Sequence, residues 1–140
     1  MPLEDFWKIT IVLPLENDAD ENSSLMPSHA VKNCKILPKI IELTKKSDPI
    51  GRTGDYVGVY GLFLRSGGFT ATAEADPVKG EPGSSEEGLC YDFITYAARS
   101  VSAEELSAFS DRVAAMHPWE HPTIEITDIK LWMPTNKKPA

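Results

Sequence analysis

Two prolines four residues apart, Pro118 and Pro122, constrain this chain more than any other feature. Each removes a backbone donor and pushes the residue before it toward extended dihedrals, which disfavours a helix continuing through His117 or His121. The residues before them are helical in pattern. Ser102-Ala103-Glu104-Glu105 is a capping box, in which a hydroxyl and a carboxylate three residues on satisfy amide donors at a helix start. Leu106, Phe109, Val113 and Met116 then recur at helical spacing, which predicts a helix over Ala103 to Met116. On the other side, Thr123 to Trp132 reads as a strand. The bracketed segment is therefore a helix-to-strand joint, and it holds His117, Trp119, Glu120 and His121 within five residues.

The rest of the chain supplies matching parts. Phe6 to Leu13 is rich in β-branched and aromatic residues, with Trp7, Ile9, Ile11 and Leu13 in one phase, which predicts a strand with one buried face, closed by Pro14. From Pro27 to Lys46, Val31, Cys34, Leu37, Ile41 and Thr44 recur every three or four residues. Pro38 rules out one unbroken helix there and predicts a kink, or a short helix followed by a second that starts near Pro38. Lys45 and Lys46 suit a helix C-terminus, and Asp48-Pro49 ends it. The turn Gly51-Arg52-Thr53-Gly54-Asp55 leads into a strand over Tyr56 to Arg65, whose two internal glycines predict a bulge or a close backbone approach.

Ser66-Gly67-Gly68 predicts a hairpin turn into an extra strand at Phe69 to Ala73. Residues 74–88, with Pro77, Gly80, Pro82 and Gly83, predict a long loop at one end of the sheet. Leu89 to Ala97 is apolar in both phases, as a central strand or one facing another subunit would be. In the last strand Ile124 and Ile126 share one phase and Ile129 and Leu131 the other. That change predicts a bulge near Asp128, or an edge strand passing from its own core to a neighbour's.

This order of elements is met most simply by one domain over residues 1–140 with an α+β, ferredoxin-like (βαββαβ) fold: a four-stranded antiparallel sheet with two helices on one face. The other face then lacks a cover, and an apolar sheet face left open implies self-association as a dimer or trimer. A net charge of -7, from 21 acidic and 14 basic residues, repels a phosphate backbone and argues against nucleic acid as a partner. Cys34 and Cys90 have neither disulfide-framework nor zinc-ribbon spacing and read as buried thiols. The apolar run from Phe6 to Leu15 is broken by Lys8 and Pro14, is too short to cross a bilayer and comes after an acidic start, so a cytoplasmic protein without membrane contact is expected.

Residues 16–28 are an acidic connection expected to be mobile. Asp18, Asp20 and Asn22 have calcium-loop spacing, but Ser23 stands where that loop needs glycine and His29 where it needs a glutamate. Residues 133–140 are expected to fray.

Four groups of residues together resemble a known family: Gly51-x-x-Gly54-Asp55-Tyr56, Gly68-Phe69, Asp76-Pro77-x-x-Gly80-x-x-Gly83, and His117-Pro118-Trp119-Glu120-x-Pro122. They look like the small inserted domain of the Ngg-interacting-factor-three-like proteins, which is similar in fold to CutA and the PII signalling proteins. The resemblance spans about residues 51 to 131 and implies a ferredoxin-like, typically trimeric unit. Asp55 replaces the usual asparagine of that family, Trp119 the tyrosine and His121 the second glutamate. The flanking halves that carry the family's dinuclear metal site have no counterpart in these 140 residues. The resemblance therefore implies a stand-alone version of the insert, without the hydrolase or cyclohydrolase activity of full-length members.

The joint admits several site readings. His117-x-x-Glu120-His121 spells the inverted zinc-protease motif, which needs both histidines one helical turn apart, and the prolines work against that helix. A looser divalent-metal site on His117, Glu120 and His121, completed by a subunit neighbour or by His29, would support a metal-dependent hydrolase. Alternatively Trp119 stacks on a ligand and Glu120 orients its polar group, with Asp55, Tyr56, Gly80 and Gly83 as further candidate ligand-binding residues. The bland reading is a rigid turn whose polar groups serve the backbone. The glycine pairs are not phosphate loops, since no Gly-Lys-Ser/Thr comes after them. No catalytic triad is written here. The sequence therefore favours a non-enzymatic oligomeric module binding a small molecule, a metal or a protein partner between subunits, with loop 74–88 and turn 117–122 as cleft walls. Its alternatives are the hydrolase and a purely structural assembly unit.

Overall fold

In the computed structural model, which describes residues 2–15, 26–76 and 80–134, the strands are β1 (Leu3–Pro14), β2 (Tyr60–Thr70), β3 (Ser85–Ala98) and β4 (Ile124–Trp132). They form one antiparallel sheet in the order β2-β3-β1-β4. The helices are α1 (Ala30–Asn33), reached through a short 3-10 turn at Pro27–His29, then α2 (Leu37–Lys46) and α3 (Ala103–Met116). The acidic segment with calcium-like spacing, Pro77 and the lysines of the tail lie outside the described residues.

Alternation along β1 decides where the core lies. Ile9, Ile11 and Leu13 are fully buried, and they join Tyr91, Phe93 and Ala97 of β3 in one apolar cluster. Leu37 and Ile40 of α2 and Leu106, Phe109 and Val113 of α3 belong to the same cluster, so the helices cover the same sheet face. Each such side chain contributes about 1.5–3 kcal/mol when it leaves water. Polar groups drawn into this layer are paired: the Asn33 amide donates to the Tyr91 hydroxyl at 3.1 Å, and the Thr95 hydroxyl donates to the Val59 carbonyl at 2.7 Å. The helical break falls where Pro38 predicts it. Cys34 turns extended after α1, and Pro38 sits in the first turn of α2, where a missing N–H costs nothing.

Ladder register assigns the opposite face to Phe63 of β2, Ile94 and Tyr96 of β3, Phe6 of β1, and Ile129 and Leu131 of β4. Phe63 is 59% exposed, Ile94, Tyr96, Ile129 and Leu131 are half-buried, and Phe6 is buried.

Three expectations are corrected. Ser66-Gly67-Gly68 makes no turn: β2 runs through it to Thr70, pairing Gly67 with Gly88 and Gly68 with Glu87, so the extra hairpin is absent. The glycines serve close approach instead, since a Cβ at Gly68 would sit 2.8 Å from the Glu86 carbonyl. β2 starts at Tyr60 and not Tyr56, because Gly58 takes φ +63 and the preceding residues close a tight turn in which Thr53 and Tyr56 bond reciprocally. Finally, β4 pairs with β1 in unbroken register from Ile124 to Trp132, so there is no bulge at Asp128. The change of phase places Ile124 and Ile126 on the helix-covered face and Ile129 and Leu131 on the other, as in the edge-strand reading.

Candidate functional site

The joint between α3 and β4 is built outward from the caps of α3. The Ser102 hydroxyl accepts from the Glu105 N–H at 3.1 Å, which opens the helix as the capping box predicts. At the other end Pro118 forces His117 out of helical dihedrals to φ -81, ψ 136. The ring of His117 consequently swings into the molecule, where the residue is only 7% exposed.

Both ring nitrogens then have partners. Nε2 lies 2.8 Å from the Val12 carbonyl, which can only accept, so Nε2 carries the proton. Nδ1 accepts from the Trp119 N–H at 3.1 Å. The Trp119 ring stands 4.9 Å from the imidazole at a tilt of 53°. At the far end of the segment the Thr123 carbonyl accepts from the Val12 N–H at 3.0 Å. Both ends of the proline-bracketed turn are thus fastened to one residue of β1.

Glu120 ties the turn to the long loop. Its Oε2 accepts from the Asp76 N–H at 3.0 Å, bringing the connection between β2 and β3 back against the joint; that connection ends at Ser84, since the expected loop residues 85–88 belong to β3. The far end of that loop is closed by its own backbone: Ala71 donates to the Ser84 carbonyl and Gly83 to the Ala71 carbonyl, at 3.0 and 2.7 Å. Gly80 and Gly83 take φ +79 and +85, a region closed to most side chains, and a Cβ at Gly80 would come within 2.5 Å of Glu86 Oε1.

The structure therefore sorts the candidate residues. Trp119 and Glu120 share the joint, and Glu120 meets the loop that carries Gly80 and Gly83. His121 is exposed and lies beside them in sequence. Asp55 and Tyr56 are exposed, Tyr56 by 74%, in the turn before β2. That turn adjoins Met133, whose N–H donates to the Pro2 carbonyl at the start of β1, whereas the joint grips Val12 near its end. The intervening strand spans about 30 Å. Within one chain, Asp55 and Tyr56 are not brought to Trp119.

For a metal, His117 as it stands has no nitrogen to offer beside Glu120 and His121. A ligating imidazole needs a free lone pair, and that of His117 Nδ1 is spent on the Trp119 N–H. Among the described residues no three His, Cys, Asp or Glu side chains are gathered for a metal. Cys90 is half-buried, and burial pushes its thiol up, with Arg65 pulling the other way and Asp92 adding to the rise. It is a poor nucleophile there.

Sequence reasoning missed the partners of the joint, because Val12 and Asp76 contribute backbone groups and lie far off in the chain. It also missed a cluster at the other end of the sheet. Arg99 lies 4.2 Å over the Trp7 ring and pairs with Asp128, while Trp7 Nε1 donates to the Val101 carbonyl at 3.2 Å.

No family model matches the sequence, and no curated protein does. Solved structures do match. A protein related to NIF3 from Bacillus cereus superposes with a TM-score of 0.57 over 91% of this chain, at 13% identity. The periplasmic divalent cation tolerance protein CutA from Archaeoglobus fulgidus superposes with a TM-score of 0.51, at 16% identity, over 89% of this chain and 83% of its own. The chain has a CutA-like fold. It also resembles a domain of the NIF3-related protein, of whose length it covers 26%. In this CutA-like frame the joint 117–123 lies between the last helix and the last strand. No helix among the described residues is long and apolar enough to cross a membrane.

Proposed function

We propose that this protein is a non-enzymatic, self-associating module of ferredoxin-like architecture that binds a small polar ligand in clefts between its copies. The observation that carries the reading is the sheet face opposite the helices, where Phe63, Ile94, Tyr96, Ile129 and Leu131 stand among Lys8, Thr10, Asp92 and Thr127 with no helix of the described residues over them. Removing such a face from water is the ordinary driving force for assembly. The edges favour a particular join. β2 and β4 are the two outer strands and run in opposite directions, so β2 of one copy set beside β4 of the next continues the antiparallel alternation. A contact of that head-to-tail kind gives a ring where its rotation closes, and a trimer is the closure proposed here.

In such a ring the ligand cleft is walled by the 117–122 turn and the loop that Glu120 holds against it. Trp119 offers a half-buried aromatic face there, and Asp55 and Tyr56, remote within one chain, belong to the site only if a neighbouring copy supplies them. Sedimentation of the purified protein, with the Phe63→Lys variant beside it, tests the assembly. Trp119 fluorescence in a Trp7→Phe, Trp132→Phe background, titrated with small carboxylic acids, amides and divalent cations, tests the cleft.

The alternative, a metal-dependent hydrolase using His117, Glu120 and His121, takes support from the divalent cation tolerance in the description of the CutA neighbour. It requires His117 to release the Trp119 N–H or the Val12 carbonyl, and these two hydrogen bonds favour the non-enzymatic reading. Metal analysis of the protein separates the two.

A further inference from the structure

A second surface stands apart from both the sheet face and the joint. Pro38, Lys39, Glu42, Leu43 and Lys46 of α2 line a shallow groove against Met116, the last residue of α3. Lys39, Glu42, Leu43 and Lys46 recur at helical spacing and so share one stripe. The floor is apolar: Leu43 and Met116 are half-buried at the margin of the core. The rim is basic.

The charge there runs against the rest of the molecule. Between residues 32 and 46 stand five lysines, Lys32, Lys35, Lys39, Lys45 and Lys46, against Glu42 alone, in a chain whose net charge is -7. All five are exposed; Lys39 and Lys46 are the two that line the groove, Lys45 lies beside Gly58, and Glu42 is engaged by Lys46 at 3.3 Å on the surface. A cationic helix on an acidic protein concentrates anionic partners at one place and repels them elsewhere. Lys39 and Lys46 stand two turns apart, about 10 Å along α2, with the apolar floor beside them.

We propose that the α2–α3 groove docks an acidic amphipathic helix from a partner protein. A leucine, phenylalanine or methionine of that helix sits between Leu43 and Met116, and carboxylates about two turns apart on its flank reach Lys39 and Lys46. The apolar floor selects such a helix over a nucleic acid, whose phosphates would find no use for Leu43 and whose backbone the acidic remainder repels.

The test is fluorescence anisotropy with a labelled synthetic helix carrying leucines on one face and glutamates seven residues apart, beside a control peptide with lysines in place of those glutamates. The glutamate peptide is expected to bind at micromolar concentration and the lysine peptide at least tenfold more weakly. Lys39→Glu with Lys46→Glu should weaken the glutamate peptide at least tenfold, and Leu43→Gln severalfold. The exposed lysine positions keep the fold intact, to be checked by an unchanged circular dichroism spectrum. Equal binding of both peptides, no loss on charge reversal, or tighter binding of a single-stranded oligonucleotide at the same lysines would overturn the proposal.

Discussion

His117 and Val12 are joined by a hydrogen bond of 2.8 Å across 105 positions of chain, from the ring Nε2–H to the backbone carbonyl. Val12 also donates its own N–H to Thr123, so a single residue of β1 receives both ends of the turn that the prolines bracket. The polar groups of the turn are held by backbone before any ligand arrives. The stability of the joint depends on that fastening.

Removing the ring should loosen the turn. His117→Ala leaves the Val12 carbonyl and the Trp119 N–H without their side-chain partner in a largely buried place, at a cost of about 1–3 kcal/mol. Urea denaturation should give a lower midpoint with an unchanged slope, whereas His121→Ala, at an exposed position, should change stability by less than about 0.5 kcal/mol.

The same geometry predicts a low metal content. Protein purified without chelator and measured by plasma mass spectrometry should hold zinc and iron far below one per chain, and added zinc should leave the melting temperature unchanged. Stoichiometric metal that is lost on changing both His117 and His121 to alanine would return the hydrolase reading.

The capping box at the start of α3 has an independent consequence. Ser102→Ala frees the Glu105 N–H and should destabilise the protein by about 1 kcal/mol, while Ser102→Asp should recover most of it. Thermal denaturation of the three proteins side by side reads the difference.

Two surface pairs contribute to the acid limb of stability. Arg52 bonds both carboxylate oxygens of Asp48, at 2.7 and 2.8 Å, and holds that carboxyl below its ordinary range; the hydrogen bond from Lys130, then its charge, does the same for Asp5. A carboxyl lowered on folding adds stability above the ordinary carboxylate range, and that contribution is lost as the pH falls through the lowered folded value. The melting temperature should therefore be flat down to about pH 5 and fall below about pH 4. Asp48→Asn and Asp5→Asn should each flatten the fall, and salt should mimic them because both pairs are exposed.

Much of this architecture was legible in local pattern. Period two in β1, the box at Ser102 and the dihedral demands of Pro38 and Pro118 each act on near neighbours, and each element appears where those residues place it. Gly67 and Gly68 misled because a glycine pair serves a turn and a close strand approach equally well, and only the partner strand distinguishes them. Ile129 and Leu131 were open to two readings until the register to β1 removed the bulge. The site was legible in its residues but not in its wiring. His117, Trp119 and Glu120 stood out by chemistry, yet their partners are backbone groups of Val12 and Asp76, which carry no mark in the sequence.

Self-association through the open sheet face is the property on which the proposed role rests, and sedimentation velocity of the wild-type protein at micromolar concentration reads it. A single species is expected at a multiple of 15.4 kDa, three copies if the β2-to-β4 join closes as described, shifted toward the single chain by Phe63→Lys. A clean 15.4 kDa monomer that stays monomeric as concentration rises would contradict it.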